Sequence, residues 1–207
     1  MKNIQEESLA DFIKDLSSKE PVPGGGGASA LIGAVSAALC SMVANLTSGK
    51  KKYAEYQSDI DEMLKATSVS IPKLLDLIEK DAEVFEPLSA AYGIPKETPG
   101  RDEILENALV TACSVPMQIL KEVSGIIEII EQLSDKGSKL AVSDVAVAAS
   151  ACRCAIESAI VNIYINTKLM KNRDYAKQIN TEAETIFNDG IIWCDAVYQI
   201  ISEELKN

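Results

Sequence analysis

The fold is decided by the stretch Pro21-Val22-Pro23-Gly24-Gly25-Gly26-Gly27-Ala28-Ser29-Ala30, which leads into the uncharged segment Leu31–Leu46. Small and apolar residues on every side of that segment predict a helix, Ala28 to Leu46, that must be covered on every side. The prolines stiffen the chain before it, and the glycines permit positive φ angles or close contact with a ligand. The free N–H groups at the start of a helix attract anions. The stretch therefore predicts a buried central helix with a ligand-binding turn at its first residues.

The composition favours a single all-α domain with an aliphatic core. The chain has 207 residues, 47% of them hydrophobic, but only three Phe and one Trp. Helix-forming residues dominate, and the alternation typical of strands is missing. We predict one domain, residues 1–207, folded as a bundle of about six helices with kinks at the internal prolines Pro72, Pro87 and Pro116. The predicted helices are Ile4–Leu16, Ala28–Leu46, Tyr53–Ala91, Asp102–Ser134, Asp144–Met170 and Tyr175–Leu205.

Charge and residue usage argue against several classes of function. The net charge of −11 disfavours a nucleic-acid partner, which would need a basic face. The chain has no histidine, so the usual general base and the usual zinc ligand are missing, and we predict no metal site. Five cysteines without a regular framework indicate reduced thiols, and the first residues do not read as a secretion signal. We therefore predict a cytoplasmic location.

Two segments built of small residues predict close helix packing. Ala28–Leu46 approaches the length of a membrane span, which takes about 20 apolar residues. Serines, an asparagine and many alanines dilute this segment, so we predict a buried helix and no membrane contact. Val145–Ala151 has the same small-residue character. Because one bundle of this size has difficulty covering such helices on every side, we predict a homodimer.

Without histidine, proton transfer falls first to the carboxylates. Asp81 and Phe85 are four residues apart and share a helix face, which places Asp81 near the apolar side of its helix. Asp144 falls in the first turn of a helix that Ser143 can cap, where the ordinary role of a carboxylate is to offset the helix dipole. Both become candidates for catalysis if they line one cleft.

The glycine run and the lysine cluster each allow a structural and a functional interpretation. Glycines 24–27 form either a flexible turn or a close-fitting site for a ligand, and they match neither the dinucleotide fingerprint nor the phosphate-binding P-loop. Lys50-Lys51-Lys52 either offsets the dipole at the end of the helix or binds the anionic tail of a substrate. The second interpretation gains weight in an acidic protein, where a basic cluster must outweigh the overall field.

The residues from Pro21 to Tyr53 resemble the signature of the formimidoyltetrahydrofolate cyclodeaminase / methenyltetrahydrofolate cyclohydrolase family, whose members start PxPGGGxxxA and end MVANLTxGKKxY. The matching residues are Pro21, Pro23, Gly24–Gly26, Ala30, Met42–Thr47, Gly49–Lys51 and Tyr53. Shorter matches follow in order at Asp81-Ala82 with Phe85, Ile94-Pro95-Lys96, Val115-Pro116, Ser143-Asp144 and Asn162–Asn166.

The resemblance implies an all-α dimer that acts on a one-carbon tetrahydrofolate without a metal or a further cofactor. Either ammonia leaves a formimino group to form 5,10-methenyltetrahydrofolate, or water opens the methenyl ring to 10-formyltetrahydrofolate. Both reactions pass through a tetrahedral carbon between N5 and N10, and we assign the proton transfer to Asp144 or Asp81. The predicted substrate-binding residues are Pro23, Gly24, Gly25, Gly26, Gly27, Ser29, Asn45 and Ser143, with Lys50, Lys51 and Lys52 for the glutamate tail. The alternative is a non-catalytic helical interaction module, which gives no reason for the glycine run.

Overall fold

The computed structural model of the chain describes residues 7–207, which form helices and no strand. The α-helices are α1 (Leu9–Leu16), α2 (Gly25–Thr47), α3 (Gln57–Tyr92), α4 (Arg101–Lys136), α5 (Val142–Thr167) and α6 (Arg173–Lys206). Two short 3-10 helices, Lys51–Tyr56 and Lys139–Ala141, precede α3 and α5. The predicted all-α class is confirmed over these residues, whereas Ile4 of the predicted first helix lies outside them.

Helix α2 lies at the centre of the bundle because its residues are small. It packs between α3 and α5 and also contacts α4. Its alanines at 30, 37 and 44 are completely buried, which lets neighbouring backbones approach closely. Two of the three buried hydroxyls on α2 bond to α5 and the turn before it: Ser36 Oγ donates to the Ala148 carbonyl at 2.9 Å, and Thr47 Oγ1 accepts the Ser138 N–H at 2.8 Å.

The other helices are arranged around α2 in two layers. Packing proceeds in the order α3, α2, α5, α6, and α4 contacts all four of these helices from one side. Aliphatic side chains of α4 and α5 fill the space between the layers. The largest fully buried ones on these two helices are Leu109, Ile119, Leu120, Ile126, Ile130, Leu133, Ile156 and Ile163. Helices α2 and α5 each also carry exposed apolar residues, among them Val35 on α2 and Val161 on α5.

Helices α2 and α5 run antiparallel. Ser36 at the middle of α2 meets Ala148 near the start of α5, and the Asn162 side chain near the end of α5 lies beside Gly25 at the start of α2. The first turn of α2 and the last turns of α5 therefore share one end of the bundle. This arrangement positions the site described below.

Two helix boundaries differ from the sequence predictions. Helix α2 begins at Gly25, so most of the predicted glycine turn is helical. Helix α5 begins at Val142 with Ala141 at its N-cap position, so Ser143 is not the predicted cap. Helices α3 and α4 each continue past their internal prolines, and the predicted kinks at those prolines stay predictions. The predicted stop of α2 is confirmed, because Gly49 adopts a left-handed conformation with φ of 71° just beyond its end.

Two helical segments within residues 7–207 are long and apolar enough to cross a membrane by length and composition, Gly25–Thr47 and Lys139–Thr167. Inside the bundle, 56% and 50% of their most apolar windows are buried. Core helices of a bundle meet the same criterion, so the absence of membrane contact stays a prediction. The homodimer also stays a prediction.

Candidate active site at the start of the central helix

A cleft of about 120 Å³ opens where α2 begins. Its walls come from the end of α5, from the facing sides of α3 and α4, and from the segment before α2. The lining residues are Pro21, Val22, Gly24, Gly25, Gly26, Asp81, Val84, Phe85, Ala112, Pro116, Asn162, Ile165 and Asn166. A groove of about 430 Å³ continues from the cleft and shares Pro21, Val22 and Phe85 with it. Mostly apolar walls with a few polar groups are typical of sites for small organic ligands.

Asp81 of α3 meets the first turn of α2 inside this cleft. Its Oδ2 accepts a hydrogen bond from the Gly27 N–H at 2.9 Å. The N-cap residue Gly24 has no side chain to satisfy the free donors of α2, so Asp81 serves one of them from another helix. The carboxylate reaches the helix only because residue 26 lacks a side chain, since a Cβ at that position would overlap Asp81 Oδ1.

The glycines are thus required for contact and not for an unusual backbone conformation. In residues 7–207, a positive φ occurs only at Gly49 and Gly100, so the suggestion that glycines 24–27 need positive φ is wrong. Gly25 lies against Asn162, whose Oδ1 would be 3.2 Å from an added Cβ. By contrast, Gly25 and Gly26 do allow the close approach of other groups that the sequence analysis predicted for the glycines.

Burial makes Asp81 a weaker acid than an exposed aspartate. Removal from water raises the pKa of Asp81 from 3.8 to about 6, and the Gly27 hydrogen bond opposes part of that change. Among residues 7–207, none of those that line the cleft or the adjoining groove is Lys or Arg, so no described side chain places a fixed positive charge beside the carboxylate there. A carboxyl group with a pKa near 6 can both accept and donate a proton close to neutral pH.

Two asparagines of α5, which the sequence analysis did not include among its site residues, face Asp81 across the cleft opening. Asn162 Nδ2 donates to the Ser158 carbonyl at 2.8 Å, and Asn166 Nδ2 donates to the Asn162 carbonyl at 2.9 Å. Because the amide NH₂ groups are held along α5, each Oδ1 is left as the atom that can accept from a ligand. Their spacing of four residues on one helix face was the available signal.

Pro116 of α4 adds a further acceptor. A proline inside a helix has no N–H, so the carbonyl four residues earlier loses its helical partner. That carbonyl belongs to Ala112, and both residues line the cleft. Together with Asp81, Asn162 and Asn166, it gives the cleft a surplus of hydrogen-bond acceptors. Such a site suits a ligand that carries N–H donors and positive charge.

The predicted lysine cluster lies at the opposite end of α2. A helix of 23 residues is about 33 Å long. Lys50 Nζ lies 3.4 Å from Ser138 Oγ, and Lys52 Nζ lies 5.4 Å from the centre of the Tyr53 ring. All three lysine side chains are exposed. The lysines are thus not among the described residues that line the cleft of one protomer, and their predicted role in binding the substrate tail stays a prediction.

Four other predicted residues also lie outside the cleft. Ser29 is completely buried, and its Oγ donates to the Gly25 carbonyl at 2.6 Å, so it closes the first turn of α2. Asn45 is exposed near the lysine end, where its Nδ2 donates to the Ser41 carbonyl. Ser143 and Asp144 lie in the first turn of α5, beside the second half of α2 and about 20 Å from Gly26 along the helix. Asp81 and Asp144 therefore do not share a cleft within one protomer.

The remaining predicted residues border the site. Gly24 lines the cleft, whereas Pro23 packs against Gly27 just outside it, within 3.7 Å of where a Cβ would be. Two of the buried thiols are poor nucleophiles: burial raises the pKa of Cys40 and of Cys113 to about 12, which keeps both protonated at neutral pH. All five cysteines are free, as the sequence analysis predicted.

Comparisons with known proteins identify the relatives of this chain. Residues 8–185 match the model of the formiminotransferase-cyclodeaminase family. A methenyltetrahydrofolate cyclohydrolase of Methylorubrum extorquens is 34% identical over 97% of this chain and 98% of its own length. A formimidoyltransferase-cyclodeaminase of Rattus norvegicus is 29% identical over 88% of this chain, which spans only 36% of that longer protein. The crystal structure of a formiminotetrahydrofolate cyclodeaminase from Thermotoga maritima covers 98% of both chains with a TM-score of 0.83 and 30% identity.

Proposed function

Because the chain belongs to the formiminotransferase-cyclodeaminase family, we propose that it converts one-carbon tetrahydrofolates in the cleft around Asp81. The reaction is the ring opening of 5,10-methenyltetrahydrofolate to 10-formyltetrahydrofolate, the formation of the methenyl compound from 5-formiminotetrahydrofolate, or both. The full-length relatives include one protein named for each reaction. The transferase activity of the longer relatives is not part of the proposal, since this chain spans about a third of the rat protein.

The observation that carries the proposal is the Asp81 carboxylate in a cleft whose described lining residues include no cationic side chain. The methenyl group and the protonated formimino group are both amidinium ions, with positive charge spread over a carbon and two nitrogens. A carboxylate beside that carbon stabilises the charge, and the surrounding acceptors match the N–H groups of a reduced pterin. The apolar side chains of Val84 and Phe85 offer the flat ring a wall.

In the ring-opening reaction, Asp81 moves a proton between water and the pterin. Water adds to the methenyl carbon and gives one proton to the Asp81 carboxylate, which yields a neutral tetrahedral carbinol. Asp81 then returns the proton to N5 as the bond between carbon and N5 breaks. The carbinol oxygen loses its proton to solvent and becomes the formyl oxygen, so one proton is released overall.

The deamination uses the same carboxylate on the same carbon. N10 adds to the formamidinium carbon and transfers its proton to Asp81. Asp81 passes that proton to the amino group, which leaves as ammonia and restores the positive charge on the methenyl bridge. Both sequences need a group that accepts and donates protons near neutral pH, and the raised pKa of Asp81 meets that need.

The proposal includes the setting of the reaction. The enzyme carries no resident metal or further cofactor, acts in the cytoplasm and binds neither nucleic acid nor membranes. The five free thiols and the net charge of −11 support this setting.

Two assays on the purified protein test the proposed activity. Loss of methenyltetrahydrofolate absorbance, corrected for the uncatalysed rate, measures ring opening, and ammonia release measures deamination. We expect catalysis in at least one assay. The absence of catalysis in both, together with no thermal stabilisation by any reduced folate, would contradict the proposal and favour the non-catalytic interaction module.

The pH profile of kcat/KM tests the role of Asp81. Because the ionised carboxylate stabilises the cationic carbon, kcat/KM should be constant above pH 7 and fall with an apparent pKa of about 6. At pH 4.5 it should be about 30-fold below that constant value, since each pH unit below the pKa removes a factor of ten of the ionised form. A profile without an inflection between pH 5 and 7 would contradict the assignment.

A further inference from the structure

The cleft at Asp81 is small for a bicyclic ring, whereas the groove beside it is large enough. Sites for small organic ligands commonly measure about 300–1,000 Å³. The cleft, at about 120 Å³, lies below that range, and the adjoining groove, at about 430 Å³, lies within it. Because the two share Pro21, Val22 and Phe85, they form one continuous space. A ring system can therefore lie in the groove while only its reacting atoms enter the cleft.

The groove has the walls that a flat ring needs. It follows α3 as far as Ala90, and Pro21 and Val22 line it from the segment before α2. Phe85 borders both the cleft and the groove, and its ring offers a face on which a second ring can stack. Most of the described lining residues are apolar. The few polar groups among them therefore decide how a ring is oriented.

The polar group best suited to orient a ring is the carboxylate of Glu86. It is the single ionisable side chain among the described residues that line the groove. Glu86 is exposed, and within residues 7–207 its carboxylate forms neither an ion pair nor a side-chain hydrogen bond. A free carboxylate presents two oxygens side by side, which can accept two parallel N–H bonds. The groove thus offers a pair of acceptors to a ligand with two adjacent donors.

The pyrimidine ring of a pterin carries such a pair of donors. Its 2-amino group and its N3–H lie side by side on one edge and point in the same direction. A carboxylate in the plane of the ring can accept both, as it does from the two N–H groups of an arginine. N5, which bears the one-carbon group, belongs to the other ring. A pterin that is held by this edge therefore presents N5 on the side away from the carboxylate.

Asp81 and Glu86 are spaced to contact opposite ends of one ring system. They are five residues apart on α3, which separates them by about 7.5 Å along the helix axis. Asp81 lines the cleft, and Glu86 lines the groove that continues from it. A pterin spans a similar distance between its one-carbon group and its 2-amino group. One carboxylate can therefore stabilise the reacting carbon while the other binds the pyrimidine edge.

We propose that the groove is a subsite for the pyrimidine ring of the pterin, in which Glu86 accepts hydrogen bonds from the 2-amino group and from N3–H. Phe85 contacts the face of the ring system between cleft and groove. The identity of the whole ligand rests on the proposed function, whereas recognition of the 2-amino-4-oxopyrimidine edge does not require catalysis. Glu86 is a specificity-determining residue, since it contacts a part of the substrate that the reaction leaves unchanged.

Binding of two ring fragments to the wild-type protein and to the Glu86→Gln variant tests this contact by calorimetry. 6-Methylpterin has both donors, whereas 6-methyllumazine has a carbonyl oxygen in place of the 2-amino group. The wild-type protein should bind the pterin at least about 10-fold more tightly, the factor that corresponds to one hydrogen bond to a charged group. The amide of the Glu86→Gln variant has one acceptor and one donor, which match the lumazine edge. Its preference for the pterin should therefore be lost or reversed.

Glu83→Gln is the matched control, because Glu83 is an exposed carboxylate of the same helix outside the groove. This variant should keep the wild-type preference for the pterin. The comparison of the two fragments on the wild-type protein needs no variant at all. The proposal would be overturned by the absence of pterin binding to the wild-type protein, by equal binding of both fragments, or by an unchanged preference in the Glu86→Gln variant.

Steady-state kinetics give a second readout. In the Glu86→Gln variant, KM for methenyltetrahydrofolate should rise about 10-fold while kcat stays close to the wild-type value, because the contact is the same in the ground state and the transition state. A lower kcat with an unchanged KM would contradict the assigned role. Catalysis without a fragment preference would count against this inference alone. A fragment preference without catalysis would count against the proposed function alone.

Discussion

Replacing Asp81 by Asn should lower kcat by about 10²- to 10⁴-fold, the usual contribution of a positioned acid or base. The Asn side chain is nearly identical in shape, and its Oδ1 still accepts the Gly27 N–H that Asp81 accepts in the wild type. It cannot hold a proton or offset the cationic carbon. Turnover under saturating methenyltetrahydrofolate measures the effect directly.

The same substitution should leave the protein at least as stable at pH 7. Because the pKa of Asp81 is about 6 in the folded protein and 3.8 as its ordinary value, the folded state binds more protons between those two pH values. The free energy of unfolding therefore decreases as pH rises through that window, by up to about 3 kcal/mol. The Asp81→Asn variant has no carboxyl group at this position and should not show this decrease. A group that serves only to cap α2 would show the opposite pattern, with stability lost and turnover kept.

Glu83→Gln provides the matched control for Asp81→Asn. Glu83 is two residues away on α3 and exposed, so the same change of charge occurs outside the cleft. Its turnover and its stability should stay close to the wild-type values. Wild-type turnover in the Asp81→Asn variant, or an equal loss in the Glu83→Gln variant, would remove Asp81 from the mechanism.

Replacing Gly26 by Ala should impair both stability and catalysis. The added Cβ would overlap the carboxyl group of Asp81, and relief of the overlap must displace either the side chain or the helix. Overpacking of this kind typically costs about 1–3 kcal/mol, and a displacement of about 1 Å at a catalytic group costs about 10²-fold in rate. Thermal unfolding and kcat/KM measure the two effects.

Gly125→Ala is the control for the glycine substitution. Gly125 is exposed inside α4, and an added Cβ there meets nothing within 4 Å. This variant should be more stable by about 1 kcal/mol, because alanine favours helix over glycine by that amount. A second measurement addresses the mechanism: adding Asp81→Ala to Gly26→Ala should restore part of the lost stability, since the overlap is then gone. Additive losses in the double variant would contradict the proposed contact.

The sequence predicted the helical class and the central helix because both depend on local composition. Alanine and serine at close spacing in α2 allow near contact with α3 and α5, which bury much of this uncharged helix. The family resemblance of Pro21–Tyr53 is confirmed by the match over residues 8–185. The prediction that Asp81 lies on the apolar side of α3 agrees with its place in the cleft.

The sequence could not show which residues meet at the cleft, because this depends on how distant helices align. Gly27 and Asp81 are 54 residues apart, and nothing local to either indicates their hydrogen bond. Nothing in the sequence around Asn162 or Ala112 marks either residue as part of a site. Asn162 reaches the cleft because α5 packs antiparallel to α2, and the Ala112 carbonyl becomes an acceptor because Pro116 lacks an N–H. The lysines lie at the opposite end of α2 from the glycines, as their order in the sequence indicates, and their role in binding the substrate tail stays a prediction.

The unpartnered carbonyl of Ala112 has a consequence for motion in the free enzyme. A backbone hydrogen bond that is missing next to a cleft lowers the local cost of opening α4 there, while the buried turns on either side remain fixed. A ligand that donates a hydrogen bond to this carbonyl replaces the N–H donor that Pro116 lacks. Amide exchange with solvent in the middle of α4 should then slow when a ligand occupies the cleft. The local stability of this helix is therefore greatest in the complex with substrate.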